Sequence, residues 1–560
     1  MDKYGDIMMD EKNNVLLFLE NRTEALDNKI ALGMKSSLGW RELTFNGLSI
    51  LSRRLANYLI KQGIDKGDKI AILSESMPEW GAALFASVLS GAITIPLDIK
   101  LTIYELSSIL TDSQPKVLLV SNAFLEMGLK LKEQVPYIEQ IIILNDSGID
   151  AEYPCLHKMT DSTVGKWRHR ALSKTALIIY TSGTTGMPKG VEISFRNALA
   201  QVNSIGKCFD LGAKDQLLSI LPMNHLFELT VGFLSFLNLG TSIYYSKSLK
   251  PKDIFPIMQE KQITFMVVVP AFLKLMKASI ESDVSKMSAF HRFMFKINYD
   301  LAKFIPSFTL RRLLFPYISK KFGGKFKGCI SGGAPLDIHI GKFFETIGIR
   351  VFEGYGLSEA SPVVSVNTKK ACRLGSVGRP LDGVEAKIDD ETGELLVRGA
   401  NVMKGYYGMP ELTAETIEPD GWLHTGDIAK LKDGFIYITG RIKNMIVLSG
   451  GKKVFPEEVE SVLNLSDKFL EVCVFGAKRA GGQKDGTEDI FAAIVPTEEV
   501  IQSATSDEEL EKIVRTEARE LSKRLSHYKR PNNFIISKEP FPRTATKKIK
   551  RKEVKAMANL

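Results

Sequence analysis

The chain has little cysteine and arranges none of it in pairs. Cys155, Cys208, Cys329, Cys372 and Cys473 are widely scattered and form no CxxC. This excludes a disulfide scaffold and the common zinc frameworks, and it predicts five free thiols in a reducing compartment. Long uninterrupted apolar runs are missing too. Residues 82–97 are broken by Gly91 and Pro96 and are too few to span a bilayer, while 217–245 contain Asn224, His225 and Glu228, which are costly in lipid. Both stretches read as core elements. The opening MDKYGDIMMDEKNN is polar and acidic, so no secretory leader is expected. The expected location is cytoplasmic, at most on the inner membrane face. Low-complexity tracts and repeats of solenoid period are absent as well.

What is present is an ordinary globular composition, 44% hydrophobic and 25% charged over 560 residues. That length exceeds one ordinary core, so two or more domains are expected. The net charge of +9 suits anionic ligands or an anionic membrane surface, and nucleic acid is not expected as a partner. Apolar runs at 69–73, 117–120, 141–144, 177–180 and 264–269 alternate with helical patterns, which predicts an α/β architecture with largely parallel sheets. After Gly383 the texture changes. VEAKIDDETGELLVRG and DGFIYITG read as short strands with Asp/Gly turns, a β-rich subdomain over about 384–442. Beyond Arg441 the pattern is mixed α+β and ends Lys-rich. A boundary is therefore placed between a 1–442 N-terminal domain and a 443–560 C-terminal domain.

Residues 180–194, YTSGTTGMPKGVEIS, are the most informative run. Thr181, Ser182, Gly183, Thr184, Thr185, Gly186 and Lys189 follow an apolar strand end. Glycines let backbone N–H groups approach phosphate oxygens, hydroxyls add donors, and the lysine adds positive charge. The loop suits a polyphosphate but is no Walker A motif, because Lys189 is followed by Gly190 and Val191. Taken alone it could equally be a solvated turn. In EGYGLSE, 353–359, Tyr355 offers a flat face, Gly356 permits close approach, Ser358 is a hydroxyl donor, and Glu359 is a hard oxygen ligand of the kind Mg²⁺ takes. Taken alone it is a turn with an exposed acid. SGGAPL, 331–336, follows a predicted strand at 328–330 and presents the small Gly332, Gly333 and Ala334. In GWLHTGD, 421–427, Asp427 can accept two hydrogen bonds from a diol, although an isolated TGD is more often a hairpin turn.

In this order the runs resemble the adenylate-forming superfamily of acyl-CoA synthetases, luciferases and peptide-synthetase adenylation domains. The resemblance covers about residues 10–555 and is strongest to long-chain fatty-acyl-CoA synthetases. It implies two α/β subdomains and a β-rich subdomain forming the large N-terminal domain, followed by a small mobile α+β C-terminal domain. It also implies ATP, Mg²⁺ and coenzyme A: a carboxylic acid is activated as acyl-AMP with release of pyrophosphate, then passed to the thiol. By the same resemblance, Thr181, Ser182, Gly183, Thr184, Thr185, Gly186, Lys189 and Ser358 meet the phosphates, and Glu359 holds the metal. Gly332, Gly333, Ala334, Tyr355 and Gly356 lie on the adenine side. Asp427, with Arg441 of TGRIKNMI, binds the ribose. His225 and Phe227 of LPMNHLFE line the acyl pocket, Lys443 is the hinge, and Gly450, Gly451 and Lys452 face the thiol. His424 is expected to be structural. The ending FPRTATKKIKR, 541–551, resembles the PRTxTGKIxR signature and makes Lys548 the adenylation lysine, with Lys547 where the family has glycine. An ammonium there would stabilise charge that builds only as the carboxylate attacks the α-phosphorus.

The acid is less sharply written. LPMNHLFE lacks the Asp that peptide-synthetase domains use for a substrate amine, and the chain's length favours a long-chain fatty acid. An aryl or short-chain acid, and transfer to an acyl carrier protein, are the alternatives. Residues 281–327 hold ten Lys or Arg and three acids, with eight Phe interleaved. The portion 285–327 reads as a surface for an anionic membrane or for an acidic carrier protein. The other reading is a hairpin that packs its Phe inward and solvates its lysines.

Overall fold

The computed structural model describes residues 26–37, 39–145, 153–163, 167–181, 188–448, 452–477, 488–543 and 549–558. Two compact units emerge. One runs to Glu385 and includes Val397–Leu423; the other comprises Ala386–Leu396 and the chain from His424.

Among the described residues the first unit is built on two mixed sheets, and the alternation read from the sequence is realised in both. In the seven-stranded sheet, Lys69–Leu73 pairs in parallel with Ile93–Pro96 and Val117–Val120, and the latter pairs with Gln140–Ile143. The hairpin Thr175–Thr181/Lys189–Ser194 extends this sheet, and Gly405–Tyr406 closes its edge. In the nine-stranded sheet, Gln216–Ser219, Phe265–Val268, Gly328–Ser331 and Arg350–Gly356 lie side by side in parallel. The chain then turns back antiparallel as Val363–Val366. Strands covered on both faces need continuous apolar runs, and Val117–Val120 and Phe265–Val268 are buried throughout.

Both stretches that raised a membrane question lie in the core. Helix Pro78–Leu89 is buried at every position. Residues 217–245 fold into the strand Gln216–Ser219, the π-helix Glu228–Ser235, the helix Phe236–Asn238 and the strand Ser242–Tyr245. No described helix is long and apolar enough to cross a membrane. The five thiols are free.

Residues 384–441 form the expected strand-rich segment, a sheet ordered Val384–Ile388, Glu394–Gly399, Leu423–Lys432, Phe435–Arg441. Its first turn follows the Asp/Gly signal: Asp389 Oδ1 accepts the Thr392 N–H at 2.8 Å, and Gly393 takes a φ of +74°. Further along, Phe469–Ala477 and Asp489–Pro496 pair antiparallel, and Asn533–Ile536 joins in parallel. The helices Pro456–Leu463 and Asp507–Ser522 bury Val459, Leu463, Leu510 and Val514 in the core this sheet shares. The C-terminal texture is thus mixed α+β, as read.

The basic, Phe-rich segment divides between its two readings. Phe315, Phe322 and Phe326 are buried, whereas Phe290, Phe293 and Phe304 are exposed.

One buried charge site stands out in the fold. Glu228 is completely buried; the Ser219 hydroxyl donates to its Oε1 at 2.5 Å, and its Oε2 has no partner among the described residues. A Cβ at residue 232 would lie 2.5 Å from this carboxyl, so Gly232 makes the room for it. Burial pushes the carboxyl up to about 8. The folded chain therefore keeps a proton that the unfolded chain releases, and this group costs stability as pH rises from about 4.5 to about 8. The limiting slope is about 1.4 kcal/mol per pH unit. Glu228→Gln removes the slope. Urea denaturation of both proteins across that range is expected to show the Gln variant gaining on the wild type with rising pH.

Candidate functional site

Two sequence motifs meet because two strands pair. Gly328–Ser331 and Arg350–Gly356 run in parallel with Ser331 opposite Glu353, so SGGAPL and YGLSE leave the sheet at the same end. Glu353 ties them together: its Oε1 accepts the Leu336 N–H at 3.1 Å. Its carboxyl is buried, which pushes it up to about 7. Glu353 Oε2 and Ser331 Oγ are both buried with no hydrogen-bond partner among the described residues. Gly356 is required by close packing, since a Cβ there would sit 1.9 Å from the Pro362 carbonyl oxygen.

Beside this end lies a polar cluster. Glu359 sits in the 3₁₀ turn Ser358–Ala360, and its carbonyl accepts the Met403 N–H at 2.9 Å. The Tyr406 hydroxyl donates to Glu359 Oε1 at 2.9 Å. Burial, and then the Glu359 carboxylate, push the Tyr406 phenol up, which keeps it a donor. Lys189 Nζ lies 5.6 Å from the centre of the Tyr406 ring. Thr181 is paired opposite Lys189 in the hairpin. The structure thus brings Lys189 and Glu359 to a residue that sequence reasoning missed, with Thr181 opposite Lys189 and Ser358 next to Glu359 in its turn. The available signal was an aromatic pair between glycines, Gly405-Tyr406-Tyr407-Gly408. Ser182, Gly183, Thr184, Thr185 and Gly186 lie outside the described residues.

The described residues contain no group of three or more His, Cys, Asp or Glu able to hold a metal. A single carboxylate, steadied through one oxygen, is nevertheless the donor set suited to Mg²⁺, which binds through one or two carboxylates and completes its shell with phosphates and water.

Behind the Gly332 loop lies a small apolar pocket of about 70 Å³. Ile205, Phe209, Phe227, Val231, Ile330 and Val363 line it, together with Gly332, Gly333, Tyr355 and Gly356. A Cβ at Gly332 would meet the Phe227 ring at 2.9 Å. The absence of a side chain at 332 therefore lets that aromatic lie against the loop. Ala334 is exposed on the same loop. His225 is not among the lining residues; its Nε2 faces the Asp98 carboxylate at 4.0 Å, a pairing with no trace in local sequence.

In the second unit, Asp427 and Arg441 are directly opposite in a hairpin. Arg441 Nε donates to Asp427 Oδ1 at 2.5 Å and Nη2 to Oδ2 at 3.5 Å. Asp427 is buried, and its N–H bonds to Thr425 Oγ1 at 3.1 Å. Glu394 holds the turn before it, accepting the Gly426 N–H at 2.7 Å and facing His424 Nδ1 at 3.0 Å. Lys443 is exposed in the 3₁₀ turn Ile442–Asn444. Lys452 Nζ lies 4.6 Å from the centre of the Tyr528 ring. Gly450, Gly451 and Lys548 lie outside the described residues. Removing the guanidinium leaves a buried carboxylate short of a charged partner. Arg441→Ala is therefore expected to lower stability by about 1–3 kcal/mol, read by chemical denaturation of the full chain.

Comparison with known proteins adds to this geometry. A family model described as AMP-binding enzyme matches residues 19–407. The long-chain-fatty-acid--CoA ligase FadD15 of Mycobacterium bovis is 30% identical over 468 residues, covering 78% of this chain and 76% of that protein. The chloroplastic long-chain-fatty-acid--[acyl-carrier-protein] ligase AEE15 of Arabidopsis thaliana is 33% identical over 450 residues, 68% of this chain and 60% of that protein. Among solved structures, the O-succinylbenzoate coenzyme A synthetase MenE from Bacillus subtilis, in complex with ATP and magnesium ion, superposes with a TM-score of 0.74. It is 25% identical and covers 96% of this chain and 99% of that one.

Proposed function

Because the chain belongs to the family of AMP-binding enzymes, we propose that it is an ATP-dependent acid–thiol ligase that activates a long-chain fatty acid and passes it to coenzyme A. A carboxylate is a poor electrophile, since its charge is delocalised and its oxygen is a bad leaving group. Adenylation replaces that leaving group: the carboxylate attacks the α-phosphorus of ATP, pyrophosphate leaves, and acyl-AMP forms. The coenzyme A thiol then attacks the acyl carbon and AMP leaves.

The residues divide the work by their chemistry. Lys189, with Thr181, Ser182, Gly183, Thr184, Thr185, Gly186 and Ser358, holds the phosphates. Glu359, oriented by Tyr406, would hold Mg²⁺, which neutralises charge on the phosphate oxygens. Tyr355, Gly356, Gly332, Gly333 and Ala334 take the adenine, and Asp427 and Arg441 take the ribose diol. Lys548 stabilises the transition state of the first half-reaction. Lys443 serves as the hinge about which the C-terminal domain exchanges Lys548 for the thiol-side residues Gly450, Gly451 and Lys452.

The observation that carries the fatty-acid reading is the pocket behind Gly332. Apart from Tyr355, its lining consists of apolar side chains and glycines. Such a lining offers an alkyl chain burial at about 25 cal/mol per Å² and offers a charged or polar acid nothing to pair with. An acyl carrier protein as acceptor is the second reading, favoured by the likeness to the Arabidopsis ligase.

The test is AMP formation from Mg·ATP and palmitate, with coenzyme A or holo-carrier protein as acceptor and benzoate as a competing acid. Turnover with palmitate and coenzyme A is expected. ATP–pyrophosphate exchange independent of any acid would overturn the ligase reading. Lys548→Ala is expected to lower acyl-adenylate formation about 10²–10³-fold. Tyr406→Phe is expected to raise the magnesium concentration needed for half-maximal rate, with activity recovering in excess magnesium. A variant unchanged in its magnesium dependence would remove Tyr406 from the site.

A further inference from the structure

The helix Ala289–Ala302 is apolar on two opposite faces, and only one of them is used by the fold. Phe295, Tyr299 and Ala302 recur at a helical spacing and turn inward. Phe295 packs edge-on against Phe315 at 5.4 Å, Tyr299 lies 6.0 Å from Phe343, and Ala302 is fully buried. Phe290, Phe293, Met294, Ile297 and Leu301 also recur at helical spacing, on the opposite side, and Phe304 continues their line just beyond the helix end. Phe290 is 68% exposed, Phe293 61%, Leu301 53% and Phe304 86%. A helix apolar all round is normally buried all round. Here the outer stripe is left to solvent among the described residues.

The charge around the stripe says what should cover it. Residues 285–327 hold ten Lys or Arg and one acid, Asp300, an excess equal to the +9 of the whole chain. Some of these cations are used within the fold: Lys321 pairs with Asp283, Lys327 with Asp215, and Arg311 and Arg312 donate to backbone carbonyls. Arg292 donates to the Ser285 and Met287 carbonyls at 3.1 Å, and with Lys296 and Lys303 it remains exposed. They line up at spacings of four and seven residues and flank the apolar stripe, with Lys303 also reaching Asp300 at 2.7 Å. Lys286, Lys320 and Lys325 are exposed nearby in the chain. Lysine and arginine stems can lie along an apolar surface while their heads reach outward to phosphates.

We infer that the outer face of Ala289–Ala302, continued by Phe304, docks on an anionic lipid surface. The helix lies in the plane of the interface, its exposed stripe entering the acyl boundary and its flanking cations meeting the phosphates. An acidic protein would answer the charges, but it would leave six bulky apolar side chains needing a matching apolar groove. A lipid surface answers both. The inner face packs against the helix Ile338–Thr346 through Phe343, and that helix begins two residues after the loop that floors the apolar pocket. Docking face and pocket both belong to the first unit, the helix packing into one hydrophobic cluster and the pocket lining into another. The inference stands on the exposed face alone and holds whether or not the proposed ligase activity does.

Vesicle flotation of the full chain tests it. Wild type is expected to float with phosphatidylcholine vesicles containing phosphatidylglycerol, to float weakly with phosphatidylcholine alone, and to be released by added salt. The variant F293S/L301S/F304S touches only exposed side chains. It is expected to keep the wild-type melting temperature and to lose at least tenfold in the bound fraction. Lys286→Glu with Lys296→Glu is expected to lower binding to the anionic vesicles only. Wild type that floats with neither composition would overturn the proposal, as would a triple variant that floats as well as wild type. A concentration-dependent dimer abolished by the triple variant, without vesicle binding, would assign the face to a second copy and overturn it equally.

Discussion

The parallel pairing of Gly328–Ser331 with Arg350–Gly356 is the contact on which the site depends. Its register sets Ser331 beside Glu353. The two loops that leave these strands carry the small residues and the aromatic face on one side and the Glu359 turn on the other. Parallel strands end at the same edge of a sheet, so motifs at their C-terminal ends converge without any direct interaction between them. Glu353 adds the tether, accepting the Leu336 N–H across the pair.

Around that edge the chain trades side-chain volume for proximity. Gly332 gives up a Cβ so that the Phe227 ring can lie against the loop, and Gly356 gives one up so that the chain can double back past Pro362. Both glycines line the pocket behind the loop. The polar cluster is set by the other sheet: Lys189 and Tyr406 come from neighbouring strands of the seven-stranded sheet, the Tyr406 hydroxyl reaches Glu359, and Lys189 lies over the Tyr406 ring. One edge of each sheet therefore supplies a different kind of surface, one polar and one apolar.

The basic segment shows the same economy applied to a surface. A run of Phe and Lys reads from sequence alone as either a membrane face or a packed hairpin, because helical spacing makes two apolar stripes and does not say which meets the core. The structure packs one stripe and leaves the other exposed: Phe295 meets Phe315 inside, and Phe290, Phe293 and Phe304 lie outside. The reason is geometric, since the sheet and the helix Ile338–Thr346 offer a packing surface on one side of this helix only.

What the sequence determined by itself is local. Continuous apolar runs became the strands Lys69–Leu73 and Val117–Val120, Asp/Gly turns became the hairpins after Val384, and the glycine-rich and YGLSE motifs marked the chemistry, because strand periodicity and turn conformation are decided over a few residues. What only the tertiary structure decided is every partnership across long separations. Tyr406 meets Glu359 from 47 residues away, Phe227 rests on Gly332, His225 faces Asp98, and Glu353 Oε2 and Ser331 Oγ are buried without partners among the described residues. None of these leaves a periodic or compositional mark, because each arises from strand order and register, which depend on how distant apolar faces pack together.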